Sequence, residues 1–370
     1  MTVGVLGGGQ LGRMLALAGI PLGLDFVFLD PSPSAPARAV GRHIVAAYDD
    51  EAALADLAAA ASVVTYEFEN VPGRVAERLA ATHPVWPPPT ALAVAQDRLE
   101  EKRLFERLGI PTASHVAVAS GEEARAAAER MPGPALLKTR RLGYDGKGQA
   151  RVEGPGDAAD AFAALGGRAC LIETLVPFSR EVSVIAARSP AGEVAVYPLA
   201  ENLHVGGILR RSRAPAAAGG AVDPARRAEA YARAILQDLG YVGVLAVEFF
   251  EVEGDLFANE LAPRVHNSGH WTIEGAETSQ FENHVRAVAG LPLGAATARG
   301  HSLMLNVIGT SPDAARVLAV PGAHLHLYGK AERPGRKLGH VTVRSDDPGA
   351  LEDAERRLAF LLPPREEEAR

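Results

Sequence analysis

Residues 135–149 read ALLKTRRLGYDGKGQ. Lys138 closes an apolar run, and Gly143, Gly146 and Gly148 leave the following loop free of Cβ atoms. Such a loop can fold its backbone N–H groups over phosphates while Lys138 and Lys147 supply charge where it develops. It is not a Walker A loop, because G-x-x-x-x-G-K-[ST] is absent and the loop leads into a strand. A second pattern is the pair Glu248 and Glu260, each within an apolar segment (VLAVEFF, DLFANELA) on either side of Glu253-Gly254. Folding about Gly254 brings the two carboxylates opposite each other on one face. Like charges across a ladder repel, and burial raises one pKa sharply. A divalent cation removes that conflict, and oxygen ligands with Asn259 alongside suit Mg²⁺ shared with substrate phosphates. A one-residue slip in register would send the carboxylates to opposite faces. Glu251, Glu253 and Asp255, near the turn, read as solvated.

Between these patterns lies ACLIETLVPFSREVS, 169–183. A strand ends at Glu173, and an apolar link, Thr174 to Phe178, leads to a second strand starting at Glu181. A link of this kind can present backbone groups to an adenine edge and a carboxylate to ribose hydroxyls; core packing explains it equally well. At the start of the chain, Gly7, Gly9 and Gly12 fit G-x-G-x-x-G directly after a strand, and Asp30 ends the next strand. Read literally this is a dinucleotide fingerprint; the plainer reading is a tight strand-to-helix turn.

These groups need scaffolds. TVGVL (2–6), DFVFLD (25–30) and SVVTY (62–66) read as buried strands that alternate with helical stretches, which predicts a parallel, doubly wound sheet. Trp86-Pro87-Pro88-Pro89 is stiff and marks a domain boundary, with a helix over 90–108 after it. Beyond 112 the pattern becomes α+β. Strands are expected near 115–119, 134–138, 149–153, 169–173, 181–188, 194–198, 243–252, 255–261, 302–308, 323–328 and 338–344. Helices are expected near 121–131, 157–165, 223–239 and 278–289, and an acidic tail, Glu366 to Glu368, reads as frayed.

Of 370 residues, 38 are Lys or Arg and 45 are Asp or Glu, for a net charge of −7, which argues against a general nucleic-acid partner. The single cysteine, Cys170, rules out an intramolecular disulfide and fits a reducing compartment. No apolar run reaches the roughly 18 residues of a membrane helix, and the start lacks a basic leader, so a soluble, cytoplasmic protein is expected. Only five cations are Lys, and four of them fall in the phosphate loop (Lys138, Lys147) or beside a cationic turn (Lys330, Lys337); Lys102 has no evident task.

The order of Lys138, the GYDGKGQ loop, Glu173 to Val176, Glu181, Glu248 and Asn259-Glu260 resembles that of the ATP-grasp superfamily. GGGQLGRML (7–15), KTRRLGYDGKGQ (138–149), ENLHVGGILR (201–210), NELAPRVHNSGHWT (259–272) and RPGRKLGH (333–340) narrow the resemblance to the 5-(carboxyamino)imidazole ribonucleotide synthases of purine biosynthesis. The resemblance implies an α/β and α+β fold of three parts: a Rossmann-like pre-ATP-grasp domain (1–95) without NAD, an ATP-grasp domain (96–292) with a mobile lid (about 112–178), and a small β-rich C-terminal domain (293–370). It implies that Arg98 and Lys138 meet ATP phosphates and that Gly143, Tyr144, Asp145, Gly146, Lys147, Gly148 and Gln149 form the lid loop. Glu173, Thr174, Leu175 and Val176 would line adenine, Glu181 the ribose and His204 the nucleotide site, with Asn259 and Glu260 completing it and Glu248 with Glu260 holding Mg²⁺.

For aminoimidazole ribonucleotide the resemblance implies Gln10, Leu11, Tyr144, Asp145, His266, Asn267, Lys330, Arg336 and Lys337, with a phosphate near the first helix start at Gly7 to Gly12. Asp145, Lys147, Arg264 and His266 would serve catalysis: Arg264 steadies an acyl phosphate, and either Asp145 or His266 takes the amine proton. Implied are ATP, Mg²⁺ and bicarbonate, a carboxyphosphate intermediate, no nucleic-acid or membrane partner, and a homodimer. Rival readings are a formate-dependent ribonucleotide transformylase, a biotin carboxylase, a nicotinamide-dependent dehydrogenase built on the first fingerprint, and a non-catalytic nucleotide-binding scaffold. The dehydrogenase leaves Glu248, Glu260 and the glycine–lysine loop without tasks.

Overall fold

The computed structural model describes residues 1–143, 146–217 and 223–362; Tyr144, Asp145 and the tail glutamates Glu366 to Glu368 lie outside them. Strands β1 (Thr2–Leu6), β2 (Asp25–Leu29), β3 (Arg42–Ile44) and β4 (Val63–Tyr66) form a parallel sheet in the order β3-β2-β1-β4. Their apolar side chains are buried on both faces, as parallel strands covered by helices require. β1 lies between β2 and β4, so the chain departs to opposite sides at its carboxyl end, the point where open α/β sheets leave a crevice.

The helix expected over 90–108 is two, Pro89–Ala95 and Arg98–Arg107, broken at Asp97. The Asp97 carboxylate caps the second helix at the Leu99 N–H (3.1 Å) and receives the Arg140 guanidinium at 2.9 and 2.7 Å. A cap carboxylate needs non-helical backbone at its own position. The break therefore also anchors the root of the phosphate loop. Strands β5 (His115–Val118), β6 (Ala135–Thr139), β7 (Gln149–Val152) and β8 (Cys170–Thr174) build a small antiparallel sheet, order β5-β8-β6-β7, covered by helices Gly121–Ala128 and Pro155–Ala164.

The third sheet runs β14-β13-β9-β11-β12-β15-β17-β16, with β10 against β9. Its strands are β9 (Arg180–Arg188), β10 (Val194–Val196), β11 (Ala200–Val205), β12 (Ile208–Ala214), β13 (Gly243–Val252), β14 (Asp255–Ala262), β15 (His301–Ile308), β16 (Ala323–Leu327) and β17 (Lys337–Ser345). The hairpin β11/β12, which the sequence patterns did not announce, turns at Gly206-Gly207, both with positive φ. Because β12 pairs with β15, the C-terminal strands extend this sheet, and helix Pro348–Leu361 covers them through Leu351, Ala354 and Leu358. Trp271, fully buried, shares one core with Leu15 of the first helix and Met304 of β15, tying the N- and C-terminal parts to the centre.

The hairpin β13/β14 carries the carboxylates. Glu253 (φ 52°) and Gly254 (φ 89°) form a two-residue primed turn that pairs Val252 with Asp255. Continued unbroken, that register would face Glu248 with Asn259. A bulge between Glu248 and Phe249 leaves Asn259 unpaired and puts Glu248 directly opposite Glu260. Helix Arg98–Arg107 catches the displaced backbone: buried Lys102 donates to the Ala258 and Asn259 carbonyls at 3.3 and 3.4 Å, and Glu101 accepts from the Leu261 N–H. This is the task of the fifth lysine. The expectation that Glu251 is solvated is corrected: it is buried and accepts from Arg180 at 2.8 Å. Deletion of Asn259 should leave the far-ultraviolet circular dichroism unchanged and abolish binding of Mg²⁺ with ADP by titration calorimetry; retained binding would contradict the role given to the bulge.

Candidate active site

A cavity of about 630 Å³ opens at the carboxyl ends of β1 and β4, where the sheet topology leaves its crevice. Gln10 and Leu11 reach it after β1, and Glu67, Glu69 and Asn70 after β4. The segment after β14 adds Arg264, His266, Asn267 and His270, and the C-terminal turn adds Tyr328, Lys330, Arg333, Arg336 and Lys337. Gln10, Leu11, His266, Asn267, Lys330, Arg336 and Lys337, all expected to meet the ribonucleotide, therefore converge on one space. Gly143, Lys147, Arg98 and Glu260 also line it, so the glycine–lysine loop and one of the paired carboxylates border the same cavity.

The glycine turn works differently from the expectation. The Gly9 and Gly12 N–H groups donate to the Glu67 carboxylate at 2.9 and 3.2 Å, and Gly8 donates to Asp30 at 2.8 Å. The anion position at the helix start is filled by the protein's own carboxylates, which corrects the placement of a substrate phosphate there. A Cβ at Gly9 would stand 2.7 Å from Glu67 Oε1, so the glycine is needed to seat that side chain. Burial pushes the Glu67 carboxyl up, and the bonds from Gly9 and Gly12 pull it back only in part. Arg264 is held by an ion pair with Glu69 and by its own donation to the Val265 carbonyl at 3.0 Å.

The cationic rim of the cavity is also preorganised. Lys330 donates to Gln10, joining the first helix to the C-terminal turn, and lies 5.8 Å from the Tyr328 ring centroid. Asn267 and Asn306 exchange two hydrogen bonds, at 3.1 and 2.6 Å, which ties the segment after β14 to β15 and leaves Asn267 one amide hydrogen and one carbonyl lone pair for a ligand.

On the nucleotide side, Lys138 is buried in an ion pair with Glu173 and lies 3.5 Å from Asn259 Oδ1. Burial alone would raise the Glu173 carboxyl, but Lys138 and Lys102 hold it down to about 2. Glu181 bonds His204 Nδ1 at 2.7 Å. Burial opposes charge on that imidazole, yet Glu181, Glu248 and Glu260 raise it to about 9. Thr174 ends β8, and Leu175 and Val176 begin the link to β9, where Phe178 stacks on Phe250 at 4.7 Å. These link residues, with Glu173, Glu181 and His204, lie outside the cavity wall, and Gln149 is exposed opposite Lys138 on β7. Gly146 and Gly148 adopt positive φ, and a Cβ at Gly148 would meet Thr139 Oγ1 at 2.6 Å.

Burial and the facing Glu260 push the Glu248 carboxyl up to about 7. Its Oε1 is buried with no hydrogen-bond partner among the described residues. Two facing carboxylates, one with an orphaned oxygen, beside Asn259 and Arg98 (3.6 Å from Glu260) fit a hard divalent cation that takes its remaining ligands from phosphates and water.

Sequence reasoning missed Glu67, Glu69 and His270. The signal for the first two was present: YEFEN follows the buried strand VVTY, and polar residues at the carboxyl end of a parallel strand belong to the ligand crevice.

Family models match along the chain: a ribonucleotide synthetase preATP-grasp domain over residues 1–96, an ATP-grasp domain over 103–281 and a phosphoribosylaminoimidazole carboxylase C-terminal domain over 302–354. The N5-carboxyaminoimidazole ribonucleotide synthase of Pseudomonas aeruginosa is 53% identical over 352 residues, which cover 95% of this chain and 97% of that protein. The crystal structure of N5-carboxyaminoimidazole ribonucleotide synthetase from Thermus thermophilus aligns with a TM-score of 0.94 at 56% identity, covering 98% of this chain and 99% of that one. The Aspergillus clavatus N5-carboxyaminoimidazole synthase, solved with ADP and 5-aminoimidazole ribonucleotide, aligns with a TM-score of 0.88 at 33% identity over 97% of each chain.

A carboxylate whose folded pKa lies near 7, against 4.5 when unfolded, binds its proton more tightly in the native state. That contribution to stability is fully present below about pH 4.5 and is lost as pH rises through 7. In chelator, the thermal midpoint of wild type relative to Glu248→Gln should fall across this window; parallel curves would contradict the assignment.

Proposed function

The chain belongs to the N5-carboxyaminoimidazole ribonucleotide synthase family, and on that premise we propose how its residues divide the work. The protein is an ATP-dependent carbon–nitrogen ligase that carboxylates 5-aminoimidazole ribonucleotide in purine biosynthesis. The observation that carries the proposed site is one cavity whose lining includes Lys330, Arg336 and Lys337 together with Arg98, Gly143, Lys147 and Glu260. It gathers two sets of cations around one space, as a reaction between two phosphorylated substrates needs.

In this reading, bicarbonate oxygen attacks the γ-phosphorus of ATP, ADP leaves, and the carboxyphosphate formed is captured at carbon by the amine, which releases phosphate. Arg98, Lys138 and Lys147 hold the nucleotide phosphates, and positioning with charge neutralisation is most of what phosphoryl transfer asks of a protein. Glu248 and Glu260 would hold Mg²⁺, which when bound offsets phosphate charge. Arg264, oriented by Glu69, presents a fixed cation to the acyl phosphate; the pair is preformed, so little reorganisation accompanies the chemistry.

The ribonucleotide phosphate rests on Lys330, Arg336 and Lys337, and Gln10 fixes Lys330 from across the cavity. The loop of Gly143, Tyr144, Asp145, Gly146, Lys147, Gly148 and Gln149 closes over the phosphates and keeps a water-labile intermediate from solvent. Adenine lies along Glu173 to Val176, with the ribose at Glu181 and His204. Of the proposed divisions, 1–95, 96–292 and 293–370, the first is supported by the change of sheet after β4, while β15 beyond the second continues the sheet of the central part. A single cysteine and the lack, among the described residues, of a helix long and apolar enough to cross a membrane agree with a cytoplasmic enzyme. A homodimer is the assembly expected of the family.

Phosphate release from ATP, Mg²⁺ and bicarbonate should rise on adding 5-aminoimidazole ribonucleotide; no stimulation would overturn the reading. Glu260→Gln should lower the stimulated rate by about 100-fold or more. Activity near wild type would remove the carboxylate pair from the mechanism.

A further inference from the structure

Behind the cavity lies a buried chain of polar side chains that the reaction as described does not use. Ser212 Oγ donates to Asn202 Oδ1 at 2.7 Å, Asn202 Nδ2 donates to Ser183 Oγ at 2.9 Å, and Ser183 Oγ donates to Ser268 Oγ at 2.7 Å. The chain ends at His266, whose Nδ1 lies 2.9 Å from Ser268 Oγ. The four residues are buried, on β12, β11, β9 and the short turn that follows His266, so water does not compete for these bonds.

The direction of the chain is fixed at its end. The Ser268 backbone N–H also points at His266 Nδ1, at 3.3 Å, and a backbone N–H can only donate. Nδ1 must therefore be an acceptor. Ser268 Oγ already accepts from Ser183, so its one hydrogen goes to the same nitrogen. With Nδ1 accepting from both, the proton of the neutral ring sits on Nε2, the nitrogen that lies 3.7 Å from Glu248 Oε1.

We propose that His266 is a fixed Nε2–H hydrogen-bond donor to the oxygens of the transferring carboxyl group, and not the base that takes the amine proton, with Ser268, Ser183, Asn202 and Ser212 as the residues that set its tautomer. The inference rests on the carboxylation reading and removes His266 from the two proton acceptors left open by the sequence. Beside Arg264 it gives the carboxyl group a second preformed donor. The proton shed by the amine then goes to another acceptor, of which the departing phosphate is one the reaction itself supplies.

Two measurements test it. Nitrogen NMR of the ¹⁵N-histidine-labelled full chain, with His266 assigned by its absence in His266→Gln, should show a pyridine-like Nδ1 and a pyrrole-like Nε2; the opposite pattern would overturn the proposal. No turnover is needed, so this readout stands apart from the success of the carboxylation reading. In the phosphate-release assay, His266→Gln places an amide N–H near the position of Nε2 but supplies no base. It should retain at least about a tenth of the wild-type kcat, whereas a lost general base costs about 10²–10⁴-fold. His266→Ala, with neither donor nor base, should fall below a hundredth. A His266→Gln protein with wild-type circular dichroism and ADP affinity, yet as inactive as His266→Ala, would overturn the donor role.

Discussion

The turn at Glu253-Gly254 sets a ladder in which Glu248 would face Asn259, and one extra residue in β14 changes that partner to Glu260. Glu248, whose Oε1 is buried, and the part-exposed Glu260 then share one face of the hairpin, an arrangement that costs free energy through desolvation of Glu248 and mutual repulsion. Neighbouring parts of the structure are organised around holding that arrangement. Lys102 and Glu101 tie down the backbone that the bulge frees, and Asp97, at the start of their helix, ties down Arg140 and Arg141 at the root of the phosphate loop. Lys138 reaches the same ground through Glu173, which it shares with Lys102. A single short helix thus connects the carboxylate hairpin, Glu173 at the end of β8 and the glycine–lysine loop.

The opposite wall follows a comparable logic with the charges reversed. Gly9 and Gly12 spend their N–H groups on Glu67, and Glu69 holds Arg264. A motif that binds an external phosphate in dinucleotide enzymes here binds an internal carboxylate. This removes the nicotinamide reading on structural grounds, because the anion position is already taken. Besides Arg98, Arg140 and Lys147, cations reach the cavity wall from the segment after β14 and from the C-terminal turn, and some are positioned by contacts between distant parts of the chain, such as Lys330 with Gln10.

What the sequence disclosed follows from the range of the forces involved. Period-two apolar patterns and short-range turn chemistry made most of the strands readable, including β13 and β14. The facing of Glu248 and Glu260 was also readable, although the simple fold about Gly254 that suggested it omits the bulge. The hairpin of β11 and β12 was hidden because ENLHV and ILRRSRA carry charges that mask alternation, and those charges are satisfied by distant partners such as Glu355 with Arg211 and Arg213. Glu67 and Glu69 could have been read from their place after a buried strand, but their tasks could not, because Gly9, Gly12 and Arg264 meet them only in the folded protein. The ties from Asp97 to Arg140 and Arg141 likewise join residues far apart along the chain. Glu251 looked solvated beside a turn until Arg180 arrived from β9.

The central claim is that the carboxylate pair retains a proton until a cation replaces it. Calorimetric titration of Mg²⁺ with ADP near pH 6.5, in two buffers of different ionisation enthalpy, counts the protons released on binding. The account predicts that wild type releases up to about one proton per site more than Glu248→Gln does. Equal release by the two proteins would mean that the facing carboxylates hold no proton between them, and would contradict it.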